Sequence, residues 1–120
     1  MIIKVSDYLA IGSTQTRIAV VVFGSYANIL FNFDTFLIRS SLRTALATVP
    51  RIGGQSNFYL MLNSVKDLLT TSFRGNRDDV RDVVLIFTDG YDGTPNFDLN
   101  AAIAVSKEIK ALGANINGKC

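Results

Sequence analysis

The sequence predicts an open α/β fold in which helices cover both faces of a doubly wound, mainly parallel sheet. Two apolar runs, "IAVVVF" at 18–23 and "VVLIF" at 83–87, are rich in β-branched residues and lack polar alternation. That composition is typical of strands buried on both faces. A third segment, "ANILFNF" at 27–33, alternates apolar with mostly polar positions and therefore predicts one antiparallel edge strand in a hairpin.

Helical spacing of apolar residues predicts the elements between these strands. Residues 1 to about 10 carry a short helical pattern that stops at Gly12. Ser40 is the predicted N-cap of a second helix, which Pro50 ends, with an apolar stripe at Leu42, Ala45, Leu46 and Val49. The alternation of helices with buried strands favours a single domain over residues 1–120.

Two longer helices complete the pattern. One covers about 57–72, has Ser56 or Asn57 as its cap, and buries a stripe of Phe58, Met61, Leu62, Val65, Leu68 and Leu69. The last ends at Gly113 as its C-cap and carries Leu99, Ala102, Ile103, Val105, Ile109 and Leu112. The segment between the longer helix and "VVLIF" is predicted to be a polar loop.

Composition excludes several classes of function. The chain of 120 residues has no histidine, so a Ser-His-Asp triad, a Cys-His pair and a His-ligated zinc site are all excluded. The single cysteine, Cys120, forms no internal disulfide, and its role is not indicated by the sequence. The net charge is only +2, and Arg74, Arg77 and Arg81 are interleaved with aspartates. That pattern indicates a solvated loop and argues against a nucleic-acid partner.

Neither a membrane span nor a signal peptide is expected. Nothing approaches the roughly 20 apolar residues that a spanning helix needs. The segment after Met1 carries a Lys and an Asp early and lacks a small-residue cleavage site, so it does not resemble a secretory leader.

Asp89 follows a buried strand directly, in "VVLIFTDGYDG" at 83–93. In open α/β sheets, ligands bind outside the carboxyl ends of the strands. Asp89 is therefore a candidate metal ligand, although a turn residue or a nucleophile would have the same sequence position. Asp92, which precedes Gly93, is interpreted as a turn residue.

Three stretches in order resemble a von Willebrand factor type A domain: "TRIAVVVFGSYANILFNF", "IGGQSNFYLML" and "VVLIFTDGYDG", the last followed by an Ala-rich helix. Each is weak alone, but their order, spacing and strand-loop-helix context make the resemblance specific, and it covers nearly the whole chain. The resemblance implies a metal-ion-dependent adhesion site built from three motifs. The second motif falls on Ser56 and the third on Asp89, whereas the first, D-x-S-x-S, has no counterpart here.

The resemblance implies a domain trimmed at both ends, in which the first strand would precede Met1 and the last would lie mostly beyond Cys120. The missing first strand is expected between "RIAVVVF" and "VVLIF", so two apolar edges are expected to be unpaired. Unpaired edges invite association with another chain, which predicts possible self-association.

The function implied by the resemblance is protein binding of the adhesion or extracellular-matrix type, not catalysis. In such a site, Mg²⁺ or another divalent cation keeps a position open for an acidic side chain of the protein partner. Because Ser56 and Asp89 supply two of about six oxygen ligands, we expect metal binding by this chain to be weak or absent. An extracellular or secreted location is expected from the same resemblance.

Two alternatives remain open at the level of sequence. The chain could be a metal-free interaction remnant of such a domain. It could also be a Mg²⁺-dependent phosphotransfer domain with Asp89 as the nucleophile. That site needs an acidic cluster at a second strand end, and the strand ends offer only Asp34.

Overall fold

The structure is a computed structural model, which describes residues 9–50, 57–87 and 99–119. Its elements, in chain order, are β1 (Val20–Phe23), β2 (Ala27–Phe31), α1 (Arg39–Ala47), α2 (Phe58–Thr70), a 3-10 turn (Ser72–Arg74), β3 (Val83–Phe87), α3 (Leu99–Ala111) and β4 (Asn115–Lys119). This succession confirms the predicted α/β class. Within the described ranges, no helix has the length and apolar content that a membrane crossing requires.

The strands form two separate two-stranded sheets. β1 pairs with β2 in antiparallel orientation, so the predicted edge hairpin is confirmed, and β3 pairs with β4 in parallel orientation. Among the described residues, no strand joins β1 to β3. The gap that was expected between the two apolar runs is therefore present in the structure.

β1 and β3 begin near the same edge of the fold, and both cross the helical layer formed by α2 and α3. The Arg17 guanidinium, just before β1, donates to the Gly75 carbonyl at 2.9 Å, so the start of β1 lies beside the segment that leads into β3. At the other end, the Asn57 amide donates to the Gly24 carbonyl at 2.8 Å and ties the start of α2 to the end of β1. α2 thus returns the chain to the edge where both strands begin.

One helical layer, formed by α2 and α3, covers one face of both sheets. Its buried core consists of Met61, Leu62, Val65, Ala102, Val105, Ile109 and Ala114. From β1, Val21 and Phe23 pack against this core, and from β3, Val84 and Ile86 do the same. The two sheets are therefore joined through a shared layer of helices.

α1 covers the opposite face of the β1–β2 sheet only. Leu42 and Leu46 of α1 pack with Val20, Val22 and Phe31 in a second buried cluster. β1 is consequently covered on both faces, as its unbroken apolar sequence predicts.

The prediction that β3 is buried on both faces is wrong for the described part of the chain. Val83 is 57% exposed and Leu85 is 43% exposed, whereas Val84 and Ile86 contact the helical layer. In the described ranges, no helix packs on the face that carries Val83 and Leu85. An apolar run predicts a buried strand only when another element supplies the second cover.

The structure confirms two of the three predicted helix caps. The Asn57 side-chain oxygen accepts from the Leu60 amide at 3.1 Å, which makes Asn57 the cap of α2. Gly113 follows α3 with φ of 96°, as a C-cap glycine should. Ser40 is not a cap, because α1 already begins at Arg39, preceded by Ile38 with no side-chain cap.

The predicted buried stripe of the last helix, α3, is partly wrong. Ile103 is 44% exposed and Leu112 is 50% exposed, while Ala102, Val105 and Ile109 are buried. The helix buries a narrower face than its apolar residues suggest, because only one layer packs against it. Of the helix expected over residues 1–10, only the last two residues are described, and neither is helical.

Candidate functional site

The two predicted metal ligands, Ser56 and Asp89, lie outside the described residues, as does Asp92. Their nearest described neighbours in sequence are Asn57, at the start of α2, and Phe87, at the end of β3. Asn57 and Phe87 are therefore the described residues from which the location of the candidate site is inferred.

The start of α2 is fixed at the carboxyl end of β1. Asn57 is buried, with 6% exposure, and its backbone amide donates to Gly24 while its side chain caps the helix. Phe23 and Phe58 pack at this junction with ring centroids 5.7 Å apart. Because β3 begins near the start of β1 and crosses the same helical layer, we infer that its last residue, Phe87, reaches the same edge of the fold.

Carboxylates do not gather elsewhere in the described structure. In residues 9–50, 57–87 and 99–119, no group of three or more Asp, Glu, His or Cys side chains is arranged to hold a metal ion. Asp34 follows β2, whose last residue, Phe31, pairs with Val20 at the start of β1. Asp34 therefore lies at the edge where β1 begins, next to Gly75 in the segment before β3.

Arginine side chains connect the segments at that edge through hydrogen bonds. The sequence predicts only a solvated loop for Arg74, Arg77 and Arg81. Arg17 donates to the carbonyls of Ser13 at 3.0 Å and Gly75 at 2.9 Å. Arg77 donates to the carbonyls of Ser13 and Gln15. The density of arginines is the one sequence signal for these contacts. Their partners could not be predicted, because every residue has a backbone carbonyl.

Arg74 links the same loop to β2 and α2. Its guanidinium lies 3.0 Å from an Asp67 carboxylate oxygen and donates to the Asn32 side chain at 2.8 Å. Its backbone carbonyl also accepts from the Phe33 amide at 2.9 Å. These contacts hold the loop against the edge of the β1–β2 sheet.

A cleft separates β1 from β3. It has a volume of about 1120 Å³ and is lined by both strands together with the α2 side chains Met61, Val65, Leu68 and Leu69. Arg17, Arg77 and Arg81 lie at the end where the strands begin. Most of its wall is apolar, and its long sides are β1 and β3, which share no neighbouring strand among the described residues.

The family comparison matches residues 1–118 to the von Willebrand factor type A domain. Among known proteins, the chain is 29% identical over 119 residues to Matrilin-3 of Mus musculus, covering 93% of this chain and 24% of that protein. It is also 29% identical over 115 residues to Matrilin-3 of Gallus gallus, covering 92% and 25% respectively. The chain thus spans about a quarter of the length of these relatives.

Solved structures show the same fold at lower identity. Proximal thread matrix protein 1 from the mussel byssus superposes with a TM-score of 0.82 at 20% identity, covering 98% of this chain and 29% of that one. Manganese-loaded TRAP protein of Plasmodium vivax gives a TM-score of 0.74 at 20% identity, covering 98% and 46%. With the family match over nearly its full length, the chain belongs to the von Willebrand factor type A domain family.

Proposed function

We propose that this chain is a protein-binding domain of the adhesion or matrix type, in which Ser56 and Asp89 contribute to an incomplete metal-ion-dependent adhesion site. The observation that carries the proposal is the common edge formed by the end of β1, the start of α2 and the end of β3. The Asn57 amide is held there by its 2.8 Å hydrogen bond to the Gly24 carbonyl, and Phe87 ends β3, which begins near the start of β1.

Chain length supports the same assignment. Ser56 immediately precedes Asn57, and Asp89 is two residues beyond Phe87. A residue spans at most about 3.6 Å of extended chain, so covalent geometry limits the distance between the Cα atoms of Phe87 and Asp89 to roughly 7 Å. A hydroxyl and a carboxylate are oxygen ligands of the kind that Mg²⁺ and Mn²⁺ take.

The donor set fits a divalent cation only weakly. Mg²⁺ requires near-octahedral geometry and gives up its water reluctantly, and the two motif residues offer one carboxylate and one neutral hydroxyl. Water would fill the remaining positions, and the bound ion would supply a positive charge for an acidic side chain of the partner. Ser56 and Asp89 would hold the ion, and the partner carboxylate would complete its coordination.

Two solved relatives support a divalent ion as the cofactor of the complete domain. The byssus protein has a structure with a zinc-occupied MIDAS motif, and the TRAP structure is manganese-loaded. An extracellular location is proposed because the sequence relatives are Matrilin-3 proteins and the byssus protein is a thread matrix protein. Detection of the protein in culture medium rather than in cell lysate, with an antibody against the chain, tests the location.

Paramagnetic broadening by Mn²⁺ tests the metal site directly. At about 1 mM Mn²⁺, we expect selective loss of amide signals from Gly24, Asn57 and Phe87, with weak, millimolar affinity. Asp89→Ala should abolish the effect, and Ser56→Ala should weaken it. The matched control is Asp79→Ala, in the loop before β3, which should leave the broadening unchanged.

Two results would contradict this assignment. One is broadening centred on the loop that carries Asp79. The other is a micromolar Mg²⁺ site, measured by calorimetry, that Asp89→Ala removes, because it would mean that the chain supplies far more than two ligands.

A metal-free interaction domain is the second candidate. It is favoured by the lack of a D-x-S-x-S counterpart in the sequence, which leaves only Ser56 and Asp89 as motif ligands. Phosphotransfer by Asp89 receives less support, because Asp34 lies at the opposite edge of the fold. If Mn²⁺ broadens no amide at all, the metal-free candidate replaces the first.

A further inference from the structure

β2 is the outer strand of the hairpin and pairs with β1 along one side. Among the described residues, no strand pairs with the other side of β2, so this edge is open. Just beyond the strand, the Phe33 amide donates to the Arg74 carbonyl at 2.9 Å, so the chain there is already bonded to the loop after α2. The open part of the edge is therefore β2 itself, Ala27–Phe31.

The hydrogen bonds of the hairpin show which backbone groups of β2 point outward. The Gly24 amide donates to the Tyr26 carbonyl at 2.8 Å, so Gly24 and Tyr26 form a hydrogen-bonded pair. Antiparallel pairs alternate between hydrogen-bonded and non-hydrogen-bonded. Along β2, Asn28 therefore bonds to β1, whereas Ala27 and Ile29 do not. The N–H and C=O groups of Ala27 and Ile29 point away from β1.

This pattern is complementary to itself about Asn28. When β2 of a second copy lies antiparallel with the two Asn28 residues opposite each other, the outward groups of Ala27 meet those of Ile29 on the other copy. Each of these two pairs exchanges two hydrogen bonds, which gives four across a two-fold axis. The β1–β2 register shifts after Ile29, so the alternation that pairing requires ends there.

The side chains of β2 do not oppose such pairing. The strand sequence, ANILF, contains no charged residue and no proline, which are the residues that commonly keep exposed edges apart. Asn28 is exposed and would lie directly opposite its own copy. A side-chain amide carries both donor and acceptor groups, so two facing asparagines can hydrogen-bond to each other.

The position of α2 fits the same arrangement. α2 packs across both β1 and β2, so its axis lies over the boundary between the two strands. Because neighbouring strands are about 4.8 Å apart, the two-fold axis would bring the two copies of α2 to about 10 Å, the distance of packed helices.

The face of α2 that points toward the open edge carries an exposed leucine. The Arg74 guanidinium joins Asp67 of α2 to the Asn32 side chain just beyond β2, so the Asp67 face of α2 lies on the side of this edge. Leu60 is seven residues before Asp67, on the same helix face, and is 36% exposed. In the two-fold arrangement, Leu60 would face the second copy.

We propose that the outer edge of β2 pairs with the same edge of a second copy of this chain, antiparallel and centred on Asn28. The contact joins the two hairpins into one four-stranded sheet, with the two α2 helices side by side on one face. It involves neither Ser56 and Asp89 nor the cleft between β1 and β3, so it goes beyond the function proposed above. A dimer carries two candidate adhesion sites, which raises avidity toward a partner with repeated binding sites.

Cysteine cross-linking of the full 120-residue chain tests the register. Asn28→Cys is made in a Cys120→Ser background, so that position 28 carries the only thiol. Facing residues of a non-hydrogen-bonded pair have Cα atoms about 4.5 Å apart, which a disulfide can span. We expect a disulfide-linked dimer under mild oxidation. It should form at least about tenfold faster than with Thr44→Cys, an exposed control on α1 in the same background.

Sedimentation equilibrium in the Cys120→Ser background tests the strength of the contact. We expect a dimer with a Kd below about 1 mM. Asn28→Lys places like charges opposite each other at the two-fold axis and should raise the Kd by about tenfold. Asn100→Lys, the same change at an exposed position on α3, should leave the Kd unchanged. Circular dichroism checks that both variants keep the fold.

Hydrogen exchange locates the contact. As the protein concentration rises through the Kd, exchange should slow at the amides of Ala27 and Ile29. The proposal is overturned by a monomer at about 1 mM, by a dimer that Asn28→Lys leaves unchanged, or by equal cross-linking of the two cysteine variants. Slowing confined to the amides of β3 would also overturn it, because the contact would then lie at the edge of the other sheet.

Discussion

The β1–β2 and β3–β4 halves of the molecule contain nearly the same kind of strand but bury it differently. In β1, "VVVF", Val20 is 7% exposed and Val22 is 8% exposed. In β3, "VVLIF", Val83 is 57% exposed and Leu85 is 43% exposed. The difference arises because α1 covers the second face of β1, whereas in the described structure no helix covers the second face of β3.

The comparison shows that the apolar residues of a strand indicate what could be buried. The elements that pack on each face of the strand determine what is buried. Both halves share the helical layer of α2 and α3, so that layer explains their similarity. Only the first half has a second cluster, around Leu42 and Leu46. Substitutions in the two halves should therefore differ in cost.

The largest expected difference is between Leu42→Ala and Leu85→Ala. Leu42 is completely buried, so its truncation should lower the free energy of unfolding by about 2–5 kcal/mol. Leu85 is partly exposed, and its truncation should cost only about 1 kcal/mol. Urea denaturation of both variants measures the difference, and equal costs would mean that the face of β3 is covered in solution.

A polar substitution at matched strand positions should give the next largest difference. Val22→Thr places a hydroxyl in the cluster under α1, which should cost about 1–3 kcal/mol when the hydroxyl has no partner. Val83→Thr should change stability by less than about 0.5 kcal/mol, because the side chain is exposed. Thermal unfolding monitored by circular dichroism compares the two, and a larger loss for Val83→Thr would reverse the assignment of faces.

The cap at the junction of α2 with β1 should contribute a smaller amount. Asn57→Ala removes the side-chain acceptor of the Leu60 amide and should cost about 0.5–2 kcal/mol. Ser40→Ala is the matched control, because Ser40 was predicted to cap α1 but lies inside the helix, and it should cost less than about 0.5 kcal/mol. Equal losses in chemical denaturation would show that Asn57 does not act as a cap.

The smallest effect is expected at the ion pair that links α2 to α3 in the shared layer. The Lys66 ammonium lies 2.5 Å from a Glu108 carboxylate oxygen, with side-chain exposures of 42% and 52%. Exposed pairs contribute about 0.2–1 kcal/mol and are screened by salt. A double-mutant cycle with Lys66→Ala and Glu108→Ala, at low and high salt, should show a coupling that falls as salt rises.

Particular residues show how far the sequence could predict the candidate site. The order of the strands, a cap at Ser56 or Asn57 and the family all follow from local patterns of residue type and spacing, and the structure assigns the cap to Asn57. The arrangement of arginines does not, because Arg17 and Arg77 bind backbone carbonyls, which every residue possesses. The roles of Ser56 and Asp89 remain predictions that rest on motif position.

By itself, the sequence determined the α/β class, the hairpin, "VVLIF" as a strand and the start of α2, because each depends on local periodicity and capping chemistry. The gap between β1 and β3 was already expected from the family resemblance, but only the tertiary structure decided that Val83 and Leu85 are exposed. The physical reason is that burial and strand pairing each require two elements in contact. An apolar run carries the tendency to be buried, but whether it is covered depends on which segment lies opposite it.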